Sequence, residues 1–342
     1  MKLRRISVKN VRNHKVFACD LSDTTSLIYG KNGAGKTAIL EAISIAYRGK
    51  SFRGSDRDIV RNTEQWYRID VEDDSGYLRY VTYDARQERP AKRFVIDEKA
   101  HGRLPQKEKY PIVLFTPDDL RMIDGSPTRR RDYLDYVISQ YDAQYDMARR
   151  RYERTLLQRN KLLKQSDVTV EQLFSWNIIL AETGAVIINA RVAFADQLDD
   201  RLDSHYRRIS SISDDIHVRY THAATTAQTL LGQYEDASGR DLATGSTSVG
   251  PHRHDMIVTL RGRLAADVAS RGETRTIILA IKFIEAELFY ERFETHPLVL
   301  LDDVYGELDS DRRHNLSTTL EDNQIIITST DKIDDDTKQI NL

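Results

Sequence analysis

The segment GKNGAGKT, residues 30–37, has the residue types and spacing of a phosphate-binding loop. Its glycines let the backbone curl so that successive N–H groups point at phosphate oxygens, while a following helix adds positive potential. Lys36 can then reach the β- and γ-phosphates, and the Thr37 hydroxyl can hold Mg²⁺. The predicted ATP-binding residues of the loop are Gly30, Lys31, Asn32, Gly33, Ala34, Gly35, Lys36 and Thr37.

Two aspartates, Asp302 and Asp303, follow the apolar run PLVLL near the end of the chain. Such a run predicts a strand covered on both faces, and carboxylates at its end are costly to bury without a cation. We predict that Mg²⁺ is this cation, with Thr37 and Asp302 as its protein ligands. Asp303 can then orient or deprotonate the attacking water, so Asp303 and Lys36 are the predicted catalytic residues.

Two alternatives for the acids stay open on the sequence alone. Asp303 could instead be the N-cap of the segment after the strand. The loop could also be an ordinary glycine-rich turn, with Asp302 and Asp303 as an unrelated acidic pair on the surface.

A second anion site is predicted where ASRGETRT leads into a long helix with apolar residues at helical spacing. Ser270 supplies a hydroxyl and Gly272 an amide at the helix start, where the helix dipole favours an anion. One nucleotide hardly needs two such sites from one chain. We therefore predict a head-to-tail pair in which the serine of each subunit contacts the nucleotide of the other, although a plain helix cap is the alternative.

Composition sets broad limits on the class of protein. The 342 residues include 40% hydrophobic and 30% charged residues, which suits a folded protein with more than one subdomain. The net charge of −2 does not point to a nucleic-acid partner, and the single cysteine, Cys19, cannot form an internal disulfide. The apolar runs look too short for a membrane span, so we expect no membrane partner and a cytoplasmic location. The acidic C-terminal dozen residues look frayed.

The surrounding segments predict an α/β fold. TTSLIY before the loop is strand-like, TAILEAISIAY after it is helical, and residues 66–97 alternate like antiparallel strands. Residues 128–183 lack glycine and proline and have helical spacing. Because the loop and the acids lie near opposite ends of the chain, we predict one mixed α/β lobe from residues 1–120 and 295–342, and a mainly helical lobe from residues 121–294.

Several motifs carry a resemblance to known ATPases. ASRGE resembles the signature of ATP-binding cassette (ABC) proteins, and GELDS resembles their D-loop, which crosses the same dimer interface near Asp309. The ordered series VRNHKVF, GKNGAGKT, LFTPDDL, QRN, GPHRHD, ASRGE and LLDDVYGELD resembles the RecF family of bacterial recombination mediators, which are related to the heads of structural-maintenance-of-chromosomes ATPases.

The RecF resemblance implies an ABC-type P-loop ATPase head with ATP and Mg²⁺ as cofactors. It implies ATP-dependent dimerisation on double-stranded DNA and single-strand/double-strand junctions, with slow DNA-stimulated hydrolysis. It further implies cooperation with RecR and RecO in loading RecA at single-strand gaps. Arg12 and Asn13 are implied to lie near the nucleotide.

The chain departs from the usual RecF pattern at two positions and from the transporter pattern at a third. Glu273 stands where the RecF family usually has glutamine, which bears on γ-phosphate sensing. His254 precedes Asp255 where the family has two acids. Thr330 stands where transporter cassettes have a histidine, in agreement with RecF.

Two arginine clusters are candidates for contacts with DNA phosphates. Without the resemblance, a charge run of this kind is more often a solvated helix face, and many of these arginines have nearby acids. Two rival functions also stay open, an ABC-transporter ATPase subunit and a DNA clamp or structural head with negligible hydrolysis. The predicted DNA-binding residues are Arg129, Arg130, Arg131, Arg149, Arg150 and Arg151.

Overall fold

The computed structural model describes residues 1–86, 90–165, 167–332 and 337–342. The chain divides into two compact units, the first formed by residues 1–120 and 282–342 and the second by residues 121–281. The second boundary falls inside one long helix, Arg271–Phe293, ahead of the position 294 given by the sequence pattern. The lobe bounds at 120 and 294 therefore stay a prediction.

The described residues in the N-terminal part of the first unit form two helices and eight strands. These are β1 (Leu3–Val11), β2 (His14–Asp20), β3 (Thr25–Tyr29), α1 (Lys36–Arg48), α2 (Asp56–Ile59), β4 (Trp66–Asp73), β5 (Leu78–Asp84), β6 (Ala91–Ile96), β7 (Lys99–His101) and β8 (Ile112–Phe115). Short 3-10 turns cover Gln106–Glu108 and, at the unit boundary, Asp119–Arg121.

The second unit is mainly helical and carries a small sheet. Its elements are α3 (Pro127–Tyr141), α4 (Ala143–Leu162), α5 (Val170–Ser210), β9 (Ile216–Tyr220), α6 (Ala227–Thr244), β10 (Met256–Leu260), β11 (Arg263–Leu264), α7 (Ala265–Val268) and the start of α8 (Arg271–Phe293). The C-terminal part of the first unit adds β12 (Leu298–Asp302), a 3-10 turn (Tyr305–Glu307), α9 (Ser310–Thr319), β13 (Gln324–Ser329) and β14 (Lys338–Asn341).

Two sheets build the first unit. The antiparallel sheet has the strand order β2-β1-β4-β5-β6-β7, and the alternating exposure along β4 and β5 follows their alternating sequence. The parallel sheet has the order β14-β3-β13-β12-β8. Every residue of β12 and β13 is buried, as expected for central strands of a parallel sheet.

Helix α1 contacts strands of both sheets. It touches β1, β4 and β5 of the antiparallel sheet and β12 and β13 of the parallel sheet. This placement explains why nearly all of its residues are buried, from Lys36 to Arg48. Burial on all sides fixes the helix, and the loop before it is therefore fixed at its C-terminal end.

The C-terminus contributes a strand, so the expectation of a frayed tail is wrong for residues 338–341. Strand β14 pairs in parallel with β3, and the Leu342 N–H donates to the Tyr29 carbonyl oxygen at 3.0 Å. Alternating lysine, isoleucine and amide side chains gave little signal for an edge strand. Residues 333–336 of the predicted tail lie outside the described residues.

One helix among the described residues, α5, is long and apolar enough to cross a membrane by length and composition. Its most apolar stretch has a mean hydropathy of 1.6, and 56% of that stretch is buried inside the protein. Helix α5 also carries the buried Arg191, whose guanidinium donates to Asp135 at 2.7 Å and to the Pro251 carbonyl oxygen at 2.9 Å. These bonds are those of a core helix.

A buried ion pair anchors α4 to α6. Arg159 and Asp241 are both fully buried, and their side chains meet at 2.8 Å. Arg159 also donates to Asn177 at 2.8 Å and to Thr247 at 2.7 Å, which joins α5 and the loop after α6 to the same group. Arg159 of the QRN motif therefore has a structural role, because it holds α4, α5 and α6 together.

We expect Arg159→Met to lower the free energy of unfolding by about 3–5 kcal/mol, because the Asp241 carboxylate is then left buried without its cation. Arg154→Met, at an exposed position of the same helix, is the control and should change stability by no more than about 0.5 kcal/mol. Denaturant unfolding followed by circular dichroism measures both. Equal stability of the two variants would contradict the assigned role of the ion pair.

Candidate nucleotide-binding site

The phosphate-binding loop connects β3 to α1, the arrangement that its sequence predicted. Gly33 and Gly35 have positive φ angles of 82° and 100°, which bend the loop back toward the helix. Helix α1 has Gly35 as its N-cap, which brings no side chain to its first N–H groups, and its first turn contains no acid. These N–H groups and the positive end of the helix dipole are therefore available to an anion.

Lys36 folds back over the loop. Its ammonium donates to the Gly30 carbonyl oxygen at 3.0 Å and to that of Lys31 at 3.4 Å, and lies 3.8 Å from Asp303 Oδ1. The residue is only 4% exposed. A buried ammonium beside carbonyl oxygens is a group that a phosphate would pair with well.

Thr37 and Asp302 meet although 265 positions separate them. The Thr37 hydroxyl donates to Asp302 Oδ1 at 2.6 Å. Burial raises the pKa of Asp302, while the hydrogen bonds from Thr37 and Thr328 oppose that rise. A buried carboxylate beside a hydroxyl is the kind of oxygen donor set that Mg²⁺ takes together with phosphate oxygens and water, so these residues fit the predicted metal.

Asp303 is not a helix cap. The turn Tyr305–Glu307 begins after Val304, and α9 begins after Asp309, so the N-cap alternative for Asp303 is wrong. Asp303 instead has a φ of 54°, in the left-handed region that few residues other than glycine adopt. Its Oδ1 is buried without a hydrogen-bond partner among the described residues. A left-handed backbone and a carboxylate oxygen that lies beside the Lys36 ammonium without a hydrogen bond from any described residue suit a catalytic acid.

The turn between β1 and β2 lies against the loop. Asn13 Nδ2 donates to the Gly33 carbonyl oxygen at 2.6 Å, and His14 Nε2 lies 3.1 Å from that of Gly35. Arg12 makes two hydrogen bonds to the Glu41 carboxylate, at 3.0 and 2.8 Å. Asn13 thus contacts the loop, and Arg12 reaches the helix that follows the loop.

Four residues around this site were not among the predicted site residues, although His14 stands in the VRNHKVF motif. Glu41 accepts from Ser51 at 2.7 Å, and Ser51 in turn accepts from the Arg53 N–H at 3.0 Å. That chain of bonds holds Arg53, whose guanidinium is 4.0 Å from Asp302 Oδ2. The missed residues are His14, Glu41, Arg53 and Thr328. For Glu41, Arg53 and Thr328, the only signal available in the sequence was the basic side chain of Arg53 a few positions after α1.

Ser270 and Glu273 form a capping box at the start of α8 in the second unit. The Ser270 N–H donates to Glu273 Oε2 at 2.7 Å, and the Glu273 N–H donates to Ser270 Oγ at 3.3 Å. The Ser270 N–H bond lowers the pKa of Glu273, and the Arg261 guanidinium pairs with its carboxylate. Gly272 lies in the first turn, where its carbonyl oxygen accepts from Thr276 at 3.0 Å.

Asp309 caps α9 in its own chain. Its side chain accepts from the Arg312 N–H at 2.9 Å and also pairs with the Arg312 guanidinium. More than half of the side chain, 54%, remains exposed. Its D-loop role therefore stays a prediction.

The arginine clusters divide into structural and exposed members. Arg130 donates to both carboxylate oxygens of Asp255 at 2.8 Å, and Arg131 donates to the His254 carbonyl oxygen at 3.0 Å. Arg149 pairs with Asp146 and Glu153 on its own helix. These intramolecular bonds occupy donors that the DNA prediction assigned to phosphates.

Arg150 and Arg151 are exposed on α4, and so is Arg154 one turn further along; of these, Arg150 also pairs with Asp146 at 2.7 Å. Arg129 is partly buried at the start of α3. The exposed α4 arginines, Arg150, Arg151 and Arg154, are called the α4 basic row below.

Comparison with known proteins places this site in a family. A family model described as an AAA domain matches residues 5–187. The DNA replication and repair protein RecF of Chloroflexus aurantiacus is 34% identical over 370 residues, covering 98% of this chain and 94% of the relative. The chain belongs to the RecF family. It is thus a member of a family of DNA replication and repair proteins. This membership excludes the rival interpretation of the chain as an ABC-transporter ATPase subunit.

Solved structures agree with the RecF assignment. The structure described as the recombination mediator protein RecF-ATP in the RecFOR pathway is 30% identical, with a TM-score of 0.84 over 98% of this chain and 93% of that one. An SMC head bound to the C-terminal winged-helix domain of ScpA is 13% identical, with a TM-score of 0.51 over 97% of this chain and 90% of that one, and shows the fold alone. The predicted α/β ABC-type ATPase head is confirmed.

Two of the loop glycines of this RecF-family site, Gly33 and Gly35, offer a matched test. A Cβ on Gly35 would lie 2.4 Å from His14 Nε2, whereas a Cβ on Gly33 would meet nothing within 4 Å. Both positions have positive φ, which costs about 1–2 kcal/mol for an alanine. We expect Gly35→Ala to weaken nucleotide binding at least about tenfold more than Gly33→Ala.

His14→Ala in the Gly35→Ala background should recover part of that loss, because it removes the clashing ring. Titration with a fluorescent ATP analogue measures all variants. Equal affinities of Gly33→Ala and Gly35→Ala would show that His14 does not restrict the loop.

Proposed function

We propose that the chain is a Mg²⁺-dependent ATPase that dimerises on ATP and binds DNA, acting in recombinational repair in the cytoplasm. The contact between Thr37 and Asp302 beneath the phosphate-binding loop is the observation that carries this proposal. This contact brings the N-terminal and C-terminal parts of the first unit together at a point where one Mg²⁺-triphosphate could bind. The similar RecF structure is a complex with ATP, which supports the choice of nucleotide.

Binding begins with the loop. Backbone N–H groups from Asn32 to Thr37 donate hydrogen bonds to phosphate oxygens. Lys36 exchanges its carbonyl partners for the β- and γ-phosphates. Thr37 and Asp302 would hold Mg²⁺, which supplies charge neutralisation for the γ-phosphate when bound. Asn13 and Arg12, from the β1–β2 turn, support the loop and α1.

Hydrolysis is assigned to Asp303. Its side chain is 38% exposed, so the carboxylate can accept a hydrogen bond from a water and orient that water toward the γ-phosphate. The proximity of Lys36, at 3.8 Å, keeps the carboxylate within reach of the phosphate position. A DNA clamp with negligible turnover is the alternative, and release of phosphate with and without duplex DNA decides between them.

Dimerisation is assigned to the start of α8. Ser270 Oγ accepts the Glu273 N–H inside the capping box, and the Ser270 hydroxyl also bonds to the Glu273 carboxylate, so it would exchange that carboxylate for an external acceptor. We place the γ-phosphate of a neighbouring subunit there, with Gly272 and Asp309 at the same interface. ATP would then hold two subunits together, and its hydrolysis would release them.

DNA binding is assigned to the exposed arginines. Arg150, Arg151 and Arg154 on α4 can contact phosphates without reading sequence. Duplex DNA and single-strand/double-strand junctions are the proposed substrates. RecR and RecO are the proposed partners, with loading of RecA at gaps as the outcome; the RecFOR pathway named for the similar structure supports them.

The subunit contact has a direct test. We expect Ser270→Arg to leave nucleotide binding by the monomer within about twofold of wild type and to abolish ATP-driven pairing, because the added bulk and charge displace the serine from the interface. Lys36→Ala should lose both nucleotide binding and pairing. Multi-angle light scattering with and without ATP measures pairing, and nucleotide titration measures binding.

Ser126→Arg is the control, since Ser126 is an exposed N-cap of α3 in the same unit. It should pair normally on ATP. If Ser270→Arg also pairs normally, the serine-tipped helix does not contact the neighbour's nucleotide.

The α4 basic row has a second test. Replacing Arg150, Arg151 and Arg154 by glutamine should weaken duplex binding and reduce the slope of log K against log salt by up to about 3, because up to three phosphate contacts are lost. Fluorescence anisotropy at several salt concentrations measures both.

The control replaces Lys99, Arg103 and Lys107, three exposed basic residues of the first unit, by glutamine. This change removes the same net charge and should leave the slope unchanged. A reduction of equal size in both triple variants would mean that α4 has no special role in DNA binding.

A further inference from the structure

Thr328 joins the two acids of the nucleotide site through one hydroxyl group. The Asp303 N–H donates to Thr328 Oγ1 at 2.9 Å. Thr328 Oγ1 lies 3.0 Å from Asp302 Oδ1 and 3.3 Å from the Leu301 carbonyl oxygen. The shorter contact to a charged acceptor is the stronger one, so the hydroxyl proton goes to Asp302.

The sheet topology places Thr328 between the strand that carries the acids and the strand that leads into the loop. Strand β13 lies between β12, which carries the acids, and β3, which leads into the phosphate-binding loop. Thr328 is in register with Asp302 on one side and Ile28 on the other. It is fully buried, so no water competes for its hydroxyl.

Asp303 depends on this hydroxyl for its backbone. Strand β12 ends at Asp302, and the left-handed φ of 54° at Asp303 turns the chain away from the ladder. The Asp303 N–H would then lack a sheet partner, and an unpaired buried N–H is costly. Thr328 supplies the acceptor and thereby stabilises a conformation that disfavours most side chains.

Asp302 depends on the same hydroxyl for its orientation. Its Oδ1 receives both Thr37 at 2.6 Å and Thr328 at 3.0 Å, while Oδ2 points toward Arg53. Two donors on one oxygen fix the rotation of the carboxylate. The second oxygen is therefore held in one direction.

We propose that Thr328 is a positioning residue for ATP hydrolysis, which fixes the water-orienting Asp303 relative to the metal-binding Asp302 through a single shared hydroxyl. This inference rests on the proposed ATPase function. Thr328 is fully buried and its hydroxyl contacts Asp302, the Asp303 N–H and the Leu301 carbonyl oxygen, so it acts through the two acids. Its loss should therefore slow turnover while nucleotide binding, which the loop and Lys36 supply, is retained.

Thr328→Val keeps the volume and removes the hydroxyl. We expect kcat for ATP hydrolysis to fall about tenfold to a hundredfold, the size of a lost hydrogen bond to a charged group, with KM changed by less than about threefold. Thr328→Ser keeps the hydroxyl and should retain at least about half of the wild-type kcat. The ATP-bound dimer of Thr328→Val should also persist longer than that of wild type, because the nucleotide is bound but hydrolysed slowly.

Thr183→Val is the control for loss of a buried threonine hydroxyl, since Thr183 donates only to the Ile179 carbonyl oxygen of its own helix in the bonds described. It should leave kcat unchanged. If Thr328→Val does not fold, as judged by circular dichroism, Thr328→Cys replaces it, because a thiol is a weak donor and acceptor and should lower kcat in the same way.

The outcomes separate the two levels of the proposal. If the wild-type chain releases no phosphate with or without duplex DNA, the ATPase function fails and the role of Thr328 with it. If the wild-type chain hydrolyses ATP and Thr328→Val matches its kcat, or Thr328→Ser falls as far as Thr328→Val, only the positioning role is overturned. A rise in KM without a fall in kcat would likewise overturn it, because the hydroxyl would then serve binding.

Discussion

The cost of ending a fully buried strand in two carboxylates shapes the first unit. Asp302 is 4% exposed, and burial raises its pKa, so an anion at this position needs donors or a cation close by. Hydroxyls from Thr37 and Thr328 supply part of that need, and Lys36 lies beside Asp303. The Thr328 hydroxyl from β13 and the donors at the start of α1 can converge on the end of β12 because β3, β13 and β12 are parallel and end at one edge of the sheet.

The strand order explains how distant parts of the chain reach this edge. Strand β3 comes from the N-terminal part, and β12 and β13 come from the C-terminal part, yet the order β3-β13-β12 places them side by side. Helix α1 packs against both sheets of the unit and fixes the start of the helix on which Lys36 and Thr37 lie. The second unit can therefore be inserted between β8 and β12 without interrupting the site, because none of the strands described for the parallel sheet comes from residues 121–281.

The sequence predicted the parts of the site that a short motif encodes, and missed those that only the topology creates. The loop, the strand before it and the meeting of Thr37 with Asp302 follow from spacing and from the chemistry of buried acids. Thr328 could not be found in this way, because its role comes from register with Asp302 across a strand pair. The arginine clusters show the same limit: Arg130 lies in a basic run, but its partner Asp255 is 125 positions away. Local charge density shows where arginines are, and the fold decides which of them remain exposed.

Glu273 lies in the first turn of α8, at the helix end that is proposed to contact a phosphate. Glu273 takes the Ser270 N–H, one of the donors that an anion at this position would otherwise use. Arg261 lies against the same carboxylate, so the pair adds little net charge at the helix end. The Ser270 hydroxyl accepts the Glu273 N–H and also bonds to the Glu273 carboxylate, so an external acceptor would have to take the hydroxyl proton over from that carboxylate. The proposed contact therefore depends on that hydroxyl more than on the backbone, and a glutamate is compatible with it as long as its charge stays balanced by Arg261.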